Sequence, residues 1–443
     1  MLTLFGIRHW NEEIRHRGDV NCLSNVAGLA LRAVNIRRMW PVAVLVLLTL
    51  LTGSVTQAED WPAFRGPTGQ GHSAERGVPL TWSESSNVRW KAPVAGRGWS
   101  SPVVADGRVW LTTATNDGAG SLRLVGYAAE TGLEIVNAEV FRVAETASAN
   151  PKNSQASPTP IVRGDRVYVH FGADGTAALT TDGEVVWKAR FPYVTQHGNG
   201  GSPVLHDGRL FLSVDGYDTA YVVALDAATG EEQWRAMRRE PISQAYSTPL
   251  IIRVGDRDQL FSIGAFRATA YDPVSGDELW EVSYGDGFSN VPAPVYGHGM
   301  VYIATGFQTP SLLAVRADGE GDVTRTHTAW TLRRGAPLTP SPLLVGDELY
   351  LVTDFGIATC VDARTGAIHW QERLGGSHSA SPIFVDGRIY FQNEEGVTRV
   401  IEPGTEFKQL ATSRLDGASL ASPAVAESSF FIRTEDHLYR IGS

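Results

Sequence analysis

The residues best suited to chemistry lie in short segments just ahead of eight prolines that recur along the chain. These segments carry amide, imidazole and aromatic side chains, which can hydrogen-bond to a ligand or pack against it. If the segments meet in the fold, they would form a polar, aromatic concavity of the kind that binds ligands or peptides. The candidate binding residues are Trp99, Gln155, His197, Asn199, Gln244, Tyr246, Asn290 and His378. The alternative, that they only satisfy loop backbone groups and channel water, stays open at the level of sequence.

Motifs for catalysis and metal binding are absent from the sequence. The chain has no His-Glu-x-x-His, no Cys-x-x-Cys-His, no Gly-x-Ser-x-Gly and no phosphate-binding glycine loop ending in Lys-Ser or Lys-Thr. His170 and His206 occupy strand or turn positions, where we expect a core or solvated role. Asp226, Asp272 and Asp362 share one place before a glycine turn, so we expect their carboxylates to accept bonds from turn amides. We assign no catalytic residue and no metal ligand.

The eight prolines open the copies of an internal repeat. In the clearest copy, four short apolar runs are separated by turn signals such as Asp207-Gly208 and Thr229-Gly230, which favour tight turns. The copies recur every 40 to 58 residues, at Pro102, Pro160, Pro203, Pro249, Pro294, Pro342, Pro382 and Pro423. Four strands at this period predict an all-β fold, an eight-bladed β-propeller of four-stranded antiparallel blades.

This architecture would position the candidate binding residues. The fourth strand of a propeller blade is outermost and the first strand of the next blade is innermost, so the connection between them crosses one face to the central axis. Eight such connections would converge on the mouth of the channel. The sequence therefore predicts the binding site there.

A tryptophan marks the fourth strand of most copies. We expect these residues to be structural, and they are Trp90, Trp187, Trp234, Trp280, Trp330 and Trp370. Val136 and Lys408 stand where two further tryptophans would be expected, which makes two blades degenerate.

The last copy predicts how the ring closes. After Pro423 the sequence provides only three strands before it ends at Ser443. The segment from Ser86 to Ala92 resembles a fourth strand, with its Trp90, but has no three strands of its own. We predict that this N-terminal strand completes the last blade, because closure removes open sheet edges.

The N-terminal region has the three parts of a secretory signal. Arg37-Arg38, the apolar run 42–51 and a small-residue segment ending at Ala58 follow one another. We predict an N-terminal extension and signal peptide over 1–58, a lead-in segment over 59–86 that packs outside the ring or across one face, and the propeller over 87–443. The mature chain would be periplasmic or secreted, without a transmembrane segment. A retained anchor is the alternative, and either Met1 or Met39 is the start.

Charge and cysteine content exclude several classes of partner and modification. A formal net charge of −10 argues against nucleic acid and anionic lipid. Of the two cysteines, Cys22 lies in the predicted leader and Cys360 in an apolar strand, so we expect no intrachain disulfide and a buried Cys360. No cysteine stands directly after Ala58 at the cleavage point, so the chain is predicted not to be a lipoprotein. We expect a monomer whose partner is an envelope or extracellular protein, a peptide or a small ligand.

Two repeat segments carry a family resemblance. Residues 224–234 and 361–370 resemble the repeat of the pyrroloquinoline-quinone-like (PQQ-like, or quinoprotein alcohol dehydrogenase-like) propellers, and the likeness extends over 87–443. It implies eight blades with tryptophans packed between them. In length and secretory start the chain is most similar to the outer-membrane protein assembly factor BamB and its relatives, although it lacks their lipid-accepting cysteine. The resemblance implies a non-catalytic scaffold that binds proteins or ligands and needs no cofactor.

The alternative within the same superfamily is a PQQ-dependent quinoprotein dehydrogenase with its cofactor at the channel mouth. Those enzymes hold the quinone under adjacent cysteines and beside a calcium bound by carboxylate and Asn ligands. Here no two cysteines are adjacent, and no calcium set can be assigned. A propeller hydrolase or lyase acting at the channel mouth is a third possibility. A WD40 propeller is disfavoured because the chain has no Trp-Asp dipeptide.

Overall fold

Eight β-sheets build the part of the chain that this computed structural model describes, residues 59–116, 120–143 and 150–443. Each blade has four antiparallel strands, in chain order except in the last blade, and the eight blades form a propeller ring. The predicted all-β, eight-bladed fold is therefore confirmed. The predicted extension and signal peptide, 1–58, and residues 144–149 of a polar insertion over 144–155, after the first blade, lie outside the described residues.

The strand bounds follow the repeat read from the sequence. In chain order they are β1 (Val88–Pro93); β2 (Val103–Ala105), β3 (Arg108–Asn116), β4 (Gly120–Ala128) and β5 (Glu134–Val143) of blade 1; β6 (Ile161–Arg163), β7 (Arg166–His170), β8 (Thr176–Thr180) and β9 (Val185–Ala189) of blade 2; β10 (Val204–His206), β11 (Arg209–Asp215), β12 (Ala220–Asp226) and β13 (Glu232–Met237) of blade 3; β14 (Leu250–Val254), β15 (Arg257–Ile263), β16 (Arg267–Tyr271) and β17 (Glu278–Ser283) of blade 4; β18 (Val295–Gly297), β19 (Met300–Ala304), β20 (Leu312–Arg316), the short β21 (Gly321–Asp322) and β22 (Thr328–Leu332) in the blade 5 repeat; β23 (Leu343–Val345), β24 (Glu348–Val352), β25 (Ile357–Asp362) and β26 (Ile368–Arg373) of blade 6; β27 (Ile383–Val385), β28 (Arg388–Gln392), β29 (Val397–Glu402) and β30 (Lys408–Arg414) of blade 7; and β31 (Ala424–Ala426), β32 (Ser429–Arg433) and β33 (His437–Ile441) of blade 8. One 3-10 turn, Gly172–Asp174, interrupts the blade 2 hairpin.

The burial of each strand reflects its place in a blade. Central strands such as β12 are buried along nearly their whole length, because both of their faces pack against neighbouring blades. Outer strands such as β26 bury one residue and expose the others. Cys360 is fully buried in β25 with a free thiol, as predicted, and burial raises its pKa to about 12.

The ring closes as the sequence predicts. β1 pairs antiparallel with β33, with Ala92 opposite Leu438, and completes blade 8. Arg433, buried at the end of β32, donates to the Ser100 hydroxyl at 2.8 Å and to the carbonyl of Thr112 at 2.9 Å, both in or beside blade 1. The last blade is therefore joined to the N-terminal strand within the sheet and to the first blade by a buried guanidinium.

A chain of hydrogen bonds, which we call the hydroxyl ring, links the innermost strands. The residue before each opening proline is Ser or Thr in seven blades, and Ala293 in blade 5. The backbone N–H of one such residue donates to the hydroxyl of the next at 2.9–3.0 Å, and six of these links form. They are Ser101 to Thr159, Thr159 to Ser202, Ser202 to Thr248, Ala293 to Ser341, Ser341 to Ser381 and Ser381 to Ser422.

Residues 61–72 of the lead-in segment pass inside the ring rather than outside it or across a face, whereas residues 77–84 contact blades 7 and 8. Trp61 exchanges two backbone hydrogen bonds with Val104 of β2, and Gly71 accepts one from Phe384 of β27. Arg65 reaches the carbonyl of Pro342 beside β23. These partners belong to innermost strands of blades 1, 6 and 7, whose inner edges would otherwise lack backbone partners. The segment therefore closes one end of the channel, which the sequence did not reveal.

The tryptophans join each blade to the next. Five of them donate their indole N–H to a turn carbonyl of the following blade at 2.8–3.2 Å; these are Trp90, Trp187, Trp234, Trp330 and Trp370. Trp280 instead donates to Gln259 within its own blade, because the next blade replaces its tight turn with a longer loop whose β21 pairs parallel to β17.

One sequence alignment needs correction. The strand register places Ala411, opposite Val400, in the tryptophan position of blade 7, three residues beyond Lys408. In this turn Gly404 follows Ile401 after two residues, whereas Gly230 follows Leu225 after four, so counting from the turn glycine fails there. Val136 does occupy the predicted position in blade 1.

Two glycines test the contact between tryptophan and turn. Gly230 (φ +76°) and Gly208 (φ +73°) are both left-handed, but a Cβ on Gly230 would lie 2.6 Å from the Trp187 ring, whereas one on Gly208 would meet nothing within 4 Å. We expect Gly208→Ala to cost about 1 kcal/mol of unfolding free energy from backbone strain, and Gly230→Ala about 2–4 kcal/mol because the ring must also move. Urea denaturation measures both. Equal costs would show that the Trp187 contact does not constrain the turn.

Candidate functional site

A cavity of about 820 Å³ lies on the axis, where the connections that precede the innermost strands converge. All eight connections contribute to its lining, and Phe64 of the lead-in segment lines it as well. One lining residue from each connection, in blade order, is Ser101, Thr159, Ser202, Thr248, Val291, Ser341, Ser381 and Ser422. We call the seven hydroxyl-bearing members of this set together with Phe64 the floor of the cavity.

Four of the predicted binding residues line the cavity. These are Trp99, His197, Gln244 and Tyr246, from the connections ahead of blades 1, 3 and 4. Trp99 is mostly buried, and the Tyr246 ring lies 6.2 Å from that of His197, centroid to centroid. The structure thus brings together side chains that are far apart in the sequence.

The other four lie outside the lining. The Asn199 amide donates to the carbonyl of Phe171 at 2.6 Å, and the Asn290 amide donates to that of Ala304 at 3.3 Å. Both side chains are buried and hold the ends of neighbouring strands. His378 is also buried, and Gln155 is half-buried. The described contacts of Asn199 and Asn290 are therefore those expected if these residues satisfy loop backbone groups rather than bind a ligand.

A hydrogen-bond network stiffens one wall of the cavity. Tyr246 donates its hydroxyl to Gln244 Oε1 at 2.6 Å, and Gln244 Nε2 donates to the Ser289 hydroxyl at 3.1 Å. The Tyr217 hydroxyl donates to Gln196 Oε1, and the Gln196 backbone N–H donates to Gln244 Oε1. Burial raises the pKa of Tyr246 to about 12, so its phenol stays protonated at neutral pH. The wall is therefore preorganised and neutral.

The sequence reasoning missed an aromatic rim around the cavity, formed by Tyr217, Phe307 and Phe355. Their exposed fractions are 45%, 56% and 75%, and all three line the cavity. They lie in the turns between second and third strands, which reach the same face as the connections. An aromatic residue within a short turn was the available signal, as in Asp354-Phe355-Gly356.

The insertion after blade 1 reaches across the mouth. The Asn153 amide donates to the carbonyl of His197 at 2.8 Å, and Lys152 Nζ pairs with Glu394 Oε1 of blade 7 at 2.7 Å. The same carboxylate oxygen accepts a 2.6 Å hydrogen bond from the Ser379 hydroxyl. The described part of the insertion therefore bridges two sides of the cavity entrance.

The donor set of the cavity does not match a quinone with calcium. The carboxylate of Asp354, which lines the cavity, already accepts bonds from the Thr339 hydroxyl and from two backbone amides. Within residues 59–116, 120–143 and 150–443, one group of three His or Asp side chains could approach a common ion, and it comprises His206, Asp207 and Asp258. These residues lie at hairpins away from the cavity lining.

Eight four-stranded blades, closed by an N-terminal strand around an axial cavity, define the PQQ-like class of β-propeller. A family model described as outer membrane protein assembly factor BamB matches residues 73–213, 218–351 and 321–406. Because these matches span more than half of the sequence, the chain belongs to that family.

Solved structures share the fold at low sequence identity. BamB from Moraxella catarrhalis superposes with a TM-score of 0.57 at 12% identity, covering 80% of this chain and 99% of that one. A europium-containing methanol dehydrogenase gives a TM-score of 0.55 at 11% identity, covering 86% of this chain and 88% of that one. No curated protein sequence matches. Likeness at this identity establishes the fold alone, which both a BamB and a dehydrogenase adopt.

No helix within the described residues has the length and hydrophobicity needed to cross a membrane.

Buried His378 predicts a loss of stability in acid. Burial lowers its pKa from 6.5 to about 4, so the folded protein keeps the imidazole neutral where the unfolded chain binds a proton. The stabilisation that this histidine brings is full above pH 6.5 and disappears as the pH falls towards 4. Replacement by His378→Gln should reduce the difference in unfolding free energy between pH 7 and pH 5 by about 2 kcal/mol.

Urea denaturation at the two pH values measures this difference. His369→Gln, at an exposed position of β26, controls for the loss of one histidine. If His378→Gln retains the full pH dependence of the parent protein, His378 is not the group responsible.

Proposed function

We propose that this chain is a non-catalytic propeller of the bacterial envelope that holds a segment of a partner protein in its axial cavity. The observation that carries the proposal is the cavity itself. It is closed at one end by the lead-in segment, open on one face, and lined by side chains from all eight blades. A volume of about 820 Å³ suits a ligand of a few residues.

The composition of the rim favours a protein segment. Exposed Phe307 and Phe355 would contact apolar side chains, and Tyr217 adds an aromatic ring with a hydroxyl. Aromatic residues are enriched at the energetic centres of protein interfaces. The preorganised wall of Gln244 and Tyr246 could receive backbone groups of an extended segment with little loss of side-chain entropy.

Family membership supports an envelope location. The name of the family refers to outer-membrane protein assembly, and the Moraxella structure is a BamB. With the signal-like segment ending at Ala58, this supports a periplasmic or secreted protein. We propose in addition that it carries no lipid anchor and acts as a monomer.

The cavity chemistry weighs against the quinoprotein alternative. PQQ works beside a calcium ion, which needs several oxygen ligands. The lining offers one carboxylate, that of Asp354, and three hydrogen bonds to it would compete with a calcium ion. Cys360, the only cysteine among the described residues, is buried in β25 away from the cavity. We therefore propose no cofactor and no catalytic residue.

Partner capture tests the proposal. A photo-reactive amino acid placed at Phe355 should crosslink to an envelope protein, and Phe307→Ala combined with Phe355→Ala should reduce capture of that protein at least about tenfold, as expected when interface aromatics are lost. The matched control combines Val274→Ala with Ile368→Ala, two exposed apolar residues outside the cavity lining. A partner lost in the control variant but retained in the rim variant would place binding elsewhere.

An activity measurement tests the alternative. Addition of PQQ and calcium to the full chain should produce no dye-linked alcohol oxidation above that of the protein alone. Turnover that requires both additions would establish a dehydrogenase and overturn the scaffold proposal.

A further inference from the structure

We propose that the floor of the axial cavity binds a carboxylate of the segment held there. This inference rests on the proposed function and adds the chemistry by which the segment is recognised. Two independent features meet near the floor: a set of hydroxyl groups whose hydrogens are not used by the protein, and a buried cation that donates to the residue next to one of them, Pro342 after Ser341.

The hydroxyl ring supplies converging donors. The position before the opening proline supplies one hydroxyl from each of seven blades, and none from blade 5, where Ala293 takes that position. Six of the hydroxyl oxygens accept a backbone N–H, so one lone pair of each is occupied. Among the described residues, none of the seven donates its own hydrogen to a protein acceptor. A hydroxyl has one such hydrogen to give, and a ligand oxygen on the axis is placed to receive it.

Arg65 supplies the charge. Its side chain is buried, with an exposed fraction of 1%, and its Nη2 donates to the carbonyls of Gln70 at 2.8 Å and Pro342 at 2.7 Å. Nε and Nη1 have no hydrogen-bond partner among the described residues, and no carboxylate there pairs with the guanidinium. Burial lowers the pKa of Arg65 to about 9, which still leaves it cationic at neutral pH.

The chain path places this cation behind the floor. Arg65 follows Phe64, which lines the cavity, and its partner Pro342 follows Ser341, which also lines it. A buried charge without a counter-ion is costly, and an anion brought nearby in a medium of low dielectric relieves part of that cost. The anion would be supplied by the ligand.

The floor discriminates between ligand charges. A carboxylate would accept charge-assisted hydrogen bonds from several hydroxyls and feel the field of Arg65. A cationic group would find no carboxylate on the floor, because the acid that lines the cavity, Asp354, is not one of the floor residues and accepts hydrogen bonds from Thr339 and Leu338 instead. The formal net charge of −10 over the whole chain disfavours the approach of anions in general. Attraction of a carboxylate to the floor would therefore come from the local groups, Arg65 and the hydroxyls.

A matched set of short peptides tests the inference on the full chain. The probes are acetyl-Ala-Ala-Leu with a free carboxylate, the same peptide as its C-terminal amide, and acetyl-Ala-Asp-Leu amide, whose only carboxylate is a side chain. Dissociation constants come from ligand-observed NMR. We expect the free carboxylate to bind at least about tenfold more tightly than the amide, since the charge-assisted bonds are lost in the amide. The Asp peptide distinguishes a chain terminus from an acidic side chain as the source.

Variants assign the preference to the floor. Arg65→Gln should reduce the ratio of the two affinities to below about threefold, whereas Arg65→Lys, which retains the charge, should preserve most of it. Ala293→Ser adds an eighth hydroxyl and should strengthen carboxylate binding. Because Ala293→Ser leaves Arg65 in place, this variant still tests the anion site if an Arg65 variant fails to fold. Melting curves show whether each variant folds.

Two results would overturn the inference, and they can be told apart. Equal affinity for carboxylate and amide, with both weakened by Phe355→Ala, would leave the binding cavity in place and remove the anion site. Failure of every probe to bind, together with no crosslink at Phe355, would remove the proposed function as well.

Discussion

The hydrogen bond from one backbone N–H to the hydroxyl of the next blade sets the geometry of this propeller. Each link joins residues that precede opening prolines, and proline restrains its predecessor to extended backbone. Six such links, all of 2.9–3.0 Å, hold neighbouring innermost strands at a constant spacing. Because all of these residues stand at the start of a first strand, the same bonds that hold the ring also define the floor of the cavity.

The inner edges of the innermost strands create a second constraint. A first strand pairs with its own blade on one side, and its other edge faces the channel, where unpaired backbone groups would need water or a partner. The lead-in segment provides that partner through Trp61, Pro62 and Gly71. The same segment carries Arg65 into the ring. It therefore both closes the channel and places a buried positive charge there.

Fold and function separate clearly in this family. A BamB and a methanol dehydrogenase both superpose on the chain, so the ring alone does not distinguish binding from catalysis. The distinction lies in the cavity, where the lining consists of hydroxyl, amide and aromatic groups, and its carboxylate, Asp354, is held by local donors. Hydroxyl, amide and aromatic groups of this kind suit recognition by shape and hydrogen bonding, and on them the proposal of a binding role rests.

The sequence by itself determined the blade count, the closing strand and the tryptophan positions, because these depend on local turn chemistry repeated at a regular period. It placed Trp99, His197, Gln244 and Tyr246 at the axis for the same reason. Only the tertiary structure decided that Asn199 and Asn290 hold strand ends, that Ala411 replaces Lys408 in register, and that residues 61–72 enter the channel. These features depend on contacts between residues far apart in the chain, such as Arg65 with Pro342, and a repeat unit read alone contains no information about them.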